Sequence, residues 1–137
     1  MADFHQNGNI TTLHDLRYRS AETLSHEVAV LAGSRKVTLI LPCLYSELEG
    51  PALPGILDEL QKVNYLHRSI IGLDAADEQQ FRHARAFFSR LPQNHVVIWN
   101  DGPRMTKIQS YLDDLGLAPK EPGKGKNVWS CMGYLLA

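Results

Sequence analysis

Cysteine is scarce in this chain: of 137 residues only Cys43 and Cys131 carry thiols, in separate predicted elements and outside any CxxC or other metal-ligand spacing. A disulfide framework and a cysteine-based zinc site are excluded as organising principles, and free thiols are expected. An excess of charge of one sign is missing too. With 14 Lys+Arg against 15 Asp+Glu and a net charge of -1, the chain has no broad basic surface for nucleic acid or an anionic membrane. Any anion site must be local, and no nucleic-acid partner is expected. There is no apolar run of about 18 residues or more, so no transmembrane segment is expected. The start, Met1-Ala2-Asp3-Phe4-His5-Gln6, lacks a basic region followed by an apolar one. The expected location is the cytoplasm.

Several catalytic templates are absent. Gly125-Lys126 is followed by Asn127 and no glycine stands at Lys120, so the P-loop pattern fails. No Gly-x-Gly-x-x-Gly follows the first predicted strand, and there is no Gly-x-Ser-x-Gly elbow. The six histidines (His5, His14, His26, His67, His83 and His95) form no HExxH or other close pairing, which makes them surface or half-buried residues rather than metal ligands. Tyr65, Phe87 and Trp99 read as core or sheet-edge residues.

What is present is a regular alternation of strands and helices, within a length that fits one domain able to bury its own core. Residues 1–35 read as an N-terminal helical extension, with Leu24, Val28 and Leu31 at helical spacing forming one buried stripe before Gly33. Val37-Thr38-Leu39-Ile40-Leu41, stopped by Pro42, suits a central strand buried on both faces. Pro54 marks the first turn of a helix with Ile56, Leu57, Leu60 and Val63 on its buried side. Ser69 to Leu73 is a second strand. Asp77 to Leu91 is a second helix, with Phe81, Ala84, Phe88 and Leu91 on one side. His95 to Trp99 is a third strand, leading through Asn100-Asp101-Gly102-Pro103 to a helix with the stripe Ile108, Leu112 and Leu115, ended by Gly116. A last helix begins near Lys126, burying Val128, Met132 and Leu135.

Strands alternating with helices of this length imply right-handed crossovers and an α/β, Rossmann-like parallel sheet with helices on both faces over residues 36–137. Ligands of such sheets bind beyond the carboxyl ends of the strands. The loops 42–51, 74–77 and 100–103 all lie on that edge. The run Pro122-Gly123-Lys124-Gly125-Lys126-Asn127-Val128-Trp129 adds a glycine-flanked lysine at a helix start, where bare N–H groups and a cation receive phosphate oxygens. A nucleotide or nucleotide-sugar ligand is indicated.

Each of these features also has a purely structural reading. Asp74 and Asp77 precede a helix and Asp is a favoured N-cap. Asp74, directly at the strand end, also stands where a carboxylate can accept the imide N–H of a uracil base. Asn100-Asp101-Gly102-Pro103 is ordinary turn chemistry. Glu49, and Glu47 with it, fit a solvated rim, and a lysine such as Lys124 in a polar loop is usually inert. Their joint occurrence on one edge favours a site.

An apolar strand closing in Leu41-Pro42 with Glu47 in the next loop, a strand closing in Asp74, and Pro-Gly-Lys-Gly-x-x-x-Trp at Pro122 to Trp129 together resemble the N-terminal nucleotide-binding half of family-2-like GT-A glycosyltransferases. Within these, the run is most similar to that of the glucosyl-3-phosphoglycerate synthase group, and the resemblance extends from Val37 to the C-terminus. It implies a nucleotide-sugar donor, a small acceptor such as 3-phosphoglycerate and a divalent metal, Mg or Mn. It also implies that Leu41, Pro42 and Glu47 line the nucleoside, Asp74 holds the base, and Lys124 with Gly125 approaches the diphosphate. Lys126 is a further candidate. The placement suits the chemistry, since a leaving diphosphate needs charge stabilisation that a lysine and a helix N-terminus supply.

The chain departs from that family in two places. The Asp-x-Asp metal motif has no counterpart: Asp113-Asp114 and Asp74-x-x-Asp77 have the wrong spacing, and Glu47-Leu48-Glu49 stands in the first loop. Tyr45 and Ser46 occupy the neighbourhood of the Asn that usually precedes the first-loop Glu. The expectation is a donor-binding half cut short of the Asp-x-Asp strand, with no metal ligand, acceptor site or catalytic base of its own, and with unfinished surfaces that favour self-association. The alternative is a non-catalytic α/β nucleotide-sensing or signalling module. A strand ending in Asp-x-Asp after Ala137 in the parent gene would separate the two.

Overall fold

A computed structural model describes residues 19–137. Residues 1–18, which include His5, His14 and the first half of the expected extension, lie outside the described residues. Helix α1 (Ala21–Ala32) starts where the Ser20 hydroxyl accepts from the Thr23 N–H and stops at Gly33. The predicted stripe is helical but unburied: Leu24 and Leu31 are exposed, and α1 has no buried residue. Periodicity sets a face, whereas burial needs a partner to cover it.

Three strands form one parallel sheet in the order β1-β2-β3: β1 (Val37–Leu44), β2 (Leu66–Asp74) and β3 (His95–Trp99). The expected α/β Rossmann-like arrangement is observed, and the strand boundaries need correction. β1 runs through Pro42 to Leu44, and among the described residues it is an edge strand, mostly half-buried, rather than the centre. Pro42 lacks an N–H donor, which an edge strand tolerates. The centre is β2, three residues longer at its start than expected, with Ile70, Ile71 and Leu73 fully buried. Successive crossovers advancing in one direction leave the first strand outermost, whatever its hydrophobicity.

Helices cover both faces. On one, a 3₁₀ turn (Tyr45–Glu49), α2 (Ala52–Leu60) and α3 (Glu78–Phe88) bury Leu48, Leu53, Leu57, Ala84 and Phe88 against Ile71 and Leu73. In α2 the buried residues are Leu53 and Leu57, and Ile56 is exposed. Asp77 caps α3 in a reciprocal box with Gln80, and Leu91 packs into the core just past the helix end. Asp77 is therefore the cap, and Asp74 is released from that role. On the other face, α5 (Lys124–Leu136) lies across β1 and β2, where Cys131 meets Ile70 and Ile98.

The α5 register corrects the predicted face. Asn127, Ser130 and Cys131 are buried, while Met132 and Leu135 are exposed. Gly72 explains this docking: a Cβ there would stand 1.7 Å from Asn127 Oδ1 and 2.7 Å from Cys131 Sγ. A bare backbone near the carboxyl end of β2 lets a polar helix face approach. Helix α4 (Pro103–Asp114) begins with Gly102 as cap and Pro103 in its first position, and it too has no buried residue. Ile108 and Leu115 of its predicted stripe are exposed.

Candidate functional site

The carboxyl ends of β1 and β2 and the first turn of α5 surround a cavity of about 230 Å³. Pro42, Cys43 and Leu44 come from β1, Glu47 from the 3₁₀ turn, Asp74 from β2, and Gly123, Lys124 and Asn127 from α5. A second cavity of about 330 Å³ adjoins it, sharing Leu44, Asp74, Gly123 and Asn127 and adding Ala75, Asn100, Asp101 and Lys126 among others. A larger hollow of about 740 Å³ between α1 and α2 is lined by Ser25, Ile56, Leu60 and Tyr65 and holds no strand-end residue. Chemistry is concentrated at the sheet edge.

Asp74 is the hub of that edge. Its Oδ1 accepts from Asn100 Nδ2 at 2.7 Å and its Oδ2 from Asn127 Nδ2 at 2.9 Å. The same Asn127 nitrogen donates to the Gly72 carbonyl at 2.9 Å. Around the next turn, Asp101 Oδ2 accepts from the Ala76 N–H at 3.1 Å and Trp99 Nε1 donates to the Ala76 carbonyl at 2.7 Å. These bonds hold Ala75 in the left-handed region, at φ 55, which costs a residue with a Cβ about 1 kcal/mol. Asn100-Asp101-Gly102-Pro103 is thus a turn that also braces the β2 end.

Glu47 is already engaged: its Oε2 accepts from the Leu44 N–H at 2.9 Å, closing the 3₁₀ turn. Lys124 is exposed and, among the described residues, makes no ion pair. Gly123 has φ 132, a conformation open to glycine and strained for other residues. The first three N–H groups of α5 precede its hydrogen-bond ladder and face the loop with no acidic residue in the first turn. Two of the expected residues lie apart. Leu41 packs into the core on the α2/α3 side, and exposed Gly125 lies outside both cavity linings. A Cβ on Gly125 would meet nothing within 4 Å, so packing does not require glycine there.

Both thiols are held protonated. Burial, then the charges of Glu47, Asp74 and Cys131, push Cys43 up to about 12. Burial and Asp74 push Cys131 to about 11. Neither supplies a nucleophile at neutral pH. Among the described residues no group of three His, Cys, Asp or Glu can hold a metal, and the two carboxylates at the cavity are bonded to amides and a backbone N–H. The described residues at this edge do not fit a divalent ion. Asn100 was read only as part of a turn and Asn127 not as a site residue, although Gly72 inside an apolar strand signals that something approaches the backbone there.

No family model and no solved structure matches the chain. Two glucosyl-3-phosphoglycerate synthases do. The synthase of Persephonella marina is 44% identical over 137 residues, which is 100% of this chain and 34% of that protein. The synthase of Methanococcoides burtonii is 37% identical over 132 residues, 96% of this chain and 32% of that protein. The resemblance carried by Pro122 to Trp129 is upheld, and it extends through the residues before Val37. The chain spans about a third of the length of these synthases. Among the described residues no helix is long and apolar enough to cross a membrane.

Proposed function

We propose that this chain is the donor-binding portion of a glycosyltransferase that moves a hexose, glucose, from a nucleotide-diphosphate sugar to a small acceptor such as 3-phosphoglycerate. The observation that carries the reading is the convergence of Pro42, Glu47, Asp74 and Lys124, from four separate segments, on one cavity at the carboxyl edge of the sheet. The names of the two relatives agree with it. In the transfer, the bond from the anomeric carbon to the diphosphate breaks as the oxygen of an acceptor hydroxyl bonds to that carbon and its proton leaves to the departing diphosphate or to solvent, and negative charge grows on the departing diphosphate. Lys124 and the first N–H groups of α5 are placed to stabilise that charge. Asp74, fixed as an acceptor, takes a base N–H, and Pro42 lies along the nucleoside. Gly125 keeps the backbone bare for the diphosphate, and Leu41 acts from beneath, supporting the strand end. The divalent ion of the family would be held by residues other than those described, so no step here is routed through it.

The exposed apolar residues of α4 and α5, among them Ile108, Tyr111, Leu135 and Leu136, make self-association part of the same proposal.

Calorimetric titration with UDP-glucose, UDP and GDP, with and without Mg²⁺ or Mn²⁺, tests the reading. The expected outcome is metal-independent binding of the uridine nucleotides, weakened about tenfold in Lys124→Ala by loss of a charge-assisted contact. Absence of binding by any of the three at millimolar concentration overturns it.

A further inference from the structure

Asn127 is 2% exposed, sits in the first turn of a helix, and joins two groups far away in sequence. One Nδ2 spans the Gly72 carbonyl and Asp74 Oδ2, both at 2.9 Å. Its Oδ1 faces the Cys131 thiol at 3.5 Å, a sulfur that stays protonated and can donate. The reverse orientation would set an oxygen against a carbonyl and a carboxylate, so the network decides which way the amide points. From the opposite side Asn100, also buried, donates to Asp74 Oδ1 at 2.7 Å. Each carboxylate oxygen therefore carries one amide donor, and the plane of the group is set by two side chains from different elements.

We infer that Asn127 is a positioning residue: with Asn100 it clamps the Asp74 carboxylate so that this strand-end acceptor discriminates among bases. The inference rests on the donor-binding reading. A carboxylate only accepts. Held still, it meets the ring N–H of a uracil-like base, and it cannot swing toward the amino group of cytosine, one position further round the ring, whose ring nitrogen is itself an acceptor. A site with fixed polar groups rejects a ligand that leaves them mismatched, whereas a mobile carboxylate follows either base. The same amide ties the α5 start to β2, so it also sets where Lys124 stands relative to Asp74.

The test compares UDP and CDP affinities for the wild-type chain, Asn127→Ala, Asn127→Ser and, as a control, Ser130→Ala. Ser130 is buried on the same helix face and donates to the Lys126 carbonyl at 3.0 Å, away from Asp74. Serine at 127 is polar but too short to reach Asp74, so failure of one variant to fold does not remove the test. The expected result is a roughly tenfold fall in the UDP-over-CDP preference in the Asn127 variants, with the preference retained in Ser130→Ala. Equal weakening of both nucleotides by the Asn127 variants identifies a merely structural role and overturns the inference. A double-mutant cycle of Asp74→Ala with Asn127→Ala, read by chemical unfolding, is independent of nucleotide. Non-additivity of about fivefold or more in the unfolding constant supports the clamp, and additivity within about twofold overturns it. If the wild-type chain binds neither nucleotide, the donor reading falls, and the cycle alone decides whether Asn127 holds Asp74.

Discussion

Lys124 projects from the first turn of α5 into solvent and contributes nothing to the core, so its replacement separates binding from folding. Lys124→Ala is expected to leave the unfolding free energy within about 0.5 kcal/mol of the wild type while weakening the uridine nucleotide; a matched loss of stability would mean that the lysine is structural. The two cysteines make the opposite case. Burial pushes their thiols up to about 12 and about 11 in the folded chain, above the value near 8.5 of an exposed thiol. Between roughly pH 9 and 12 the folded chain thus holds protons that the unfolded chain has released. Stability from this source is complete below about pH 8 and is lost as pH rises through that window. Unfolding by denaturant at pH 7, 9 and 10.5 should show the decline, and Cys43→Ala/Cys131→Ala should flatten it. Native protein at pH 8 should resist a thiol-specific reagent that labels both residues on unfolding. Of the site itself, Asp74 and Lys124 were legible as residues because each stands alone at a strand end or helix start. The Asn100–Asp74–Asn127 network was not, because a hydrogen bond between residues 53 apart leaves no local pattern.

At the scale of elements, the close approach of α5 to β2 is the contact on which the site depends. Gly72→Ala must displace Asn127 and Cys131, and the combined crowding and lost hydrogen bonds should cost about 2–4 kcal/mol, measured by chemical denaturation. Gly133→Ala is the contrasting substitution. A Cβ there meets nothing within 4 Å, so the same helix should gain about 0.5–1 kcal/mol from the better helix former. Equal effects of the two would refute the packing argument. The elements most easily read from sequence were β3 and α3, where an apolar run ends at turn residues and an Asp cap opens an amphipathic helix. The buried faces of α1, α4 and α5 were misjudged for one common reason. Their apolar stripes are real, but α5 docks through its small and polar side, and α1 and α4 bury no residue at all. The rank of β1 as centre or edge was illegible as well, because it depends on the direction of crossovers that no single strand encodes.

The whole molecule has a covered sheet and incompletely covered helices. β1 and β3 each have one unpaired edge among the described residues, and apolar side chains of α4 and α5 face solvent, Leu136 at 85% exposure. Concentration-dependent association is the expected behaviour of the isolated chain. Light scattering from about 5 to 200 μM should show mass rising with concentration, and a constant monomer mass would count against it. The docking of α5 also bears on how the cavity forms during folding. The strand, helix and neighbouring strand units close over short loops, whereas the docking of α5 on β1 and β2 closes a separation of 55 residues at Gly72. The cavity is walled on one side by that helix. It is complete only when that long-range contact is made, so a ligand that fills it should latch the docking of α5 rather than the sheet.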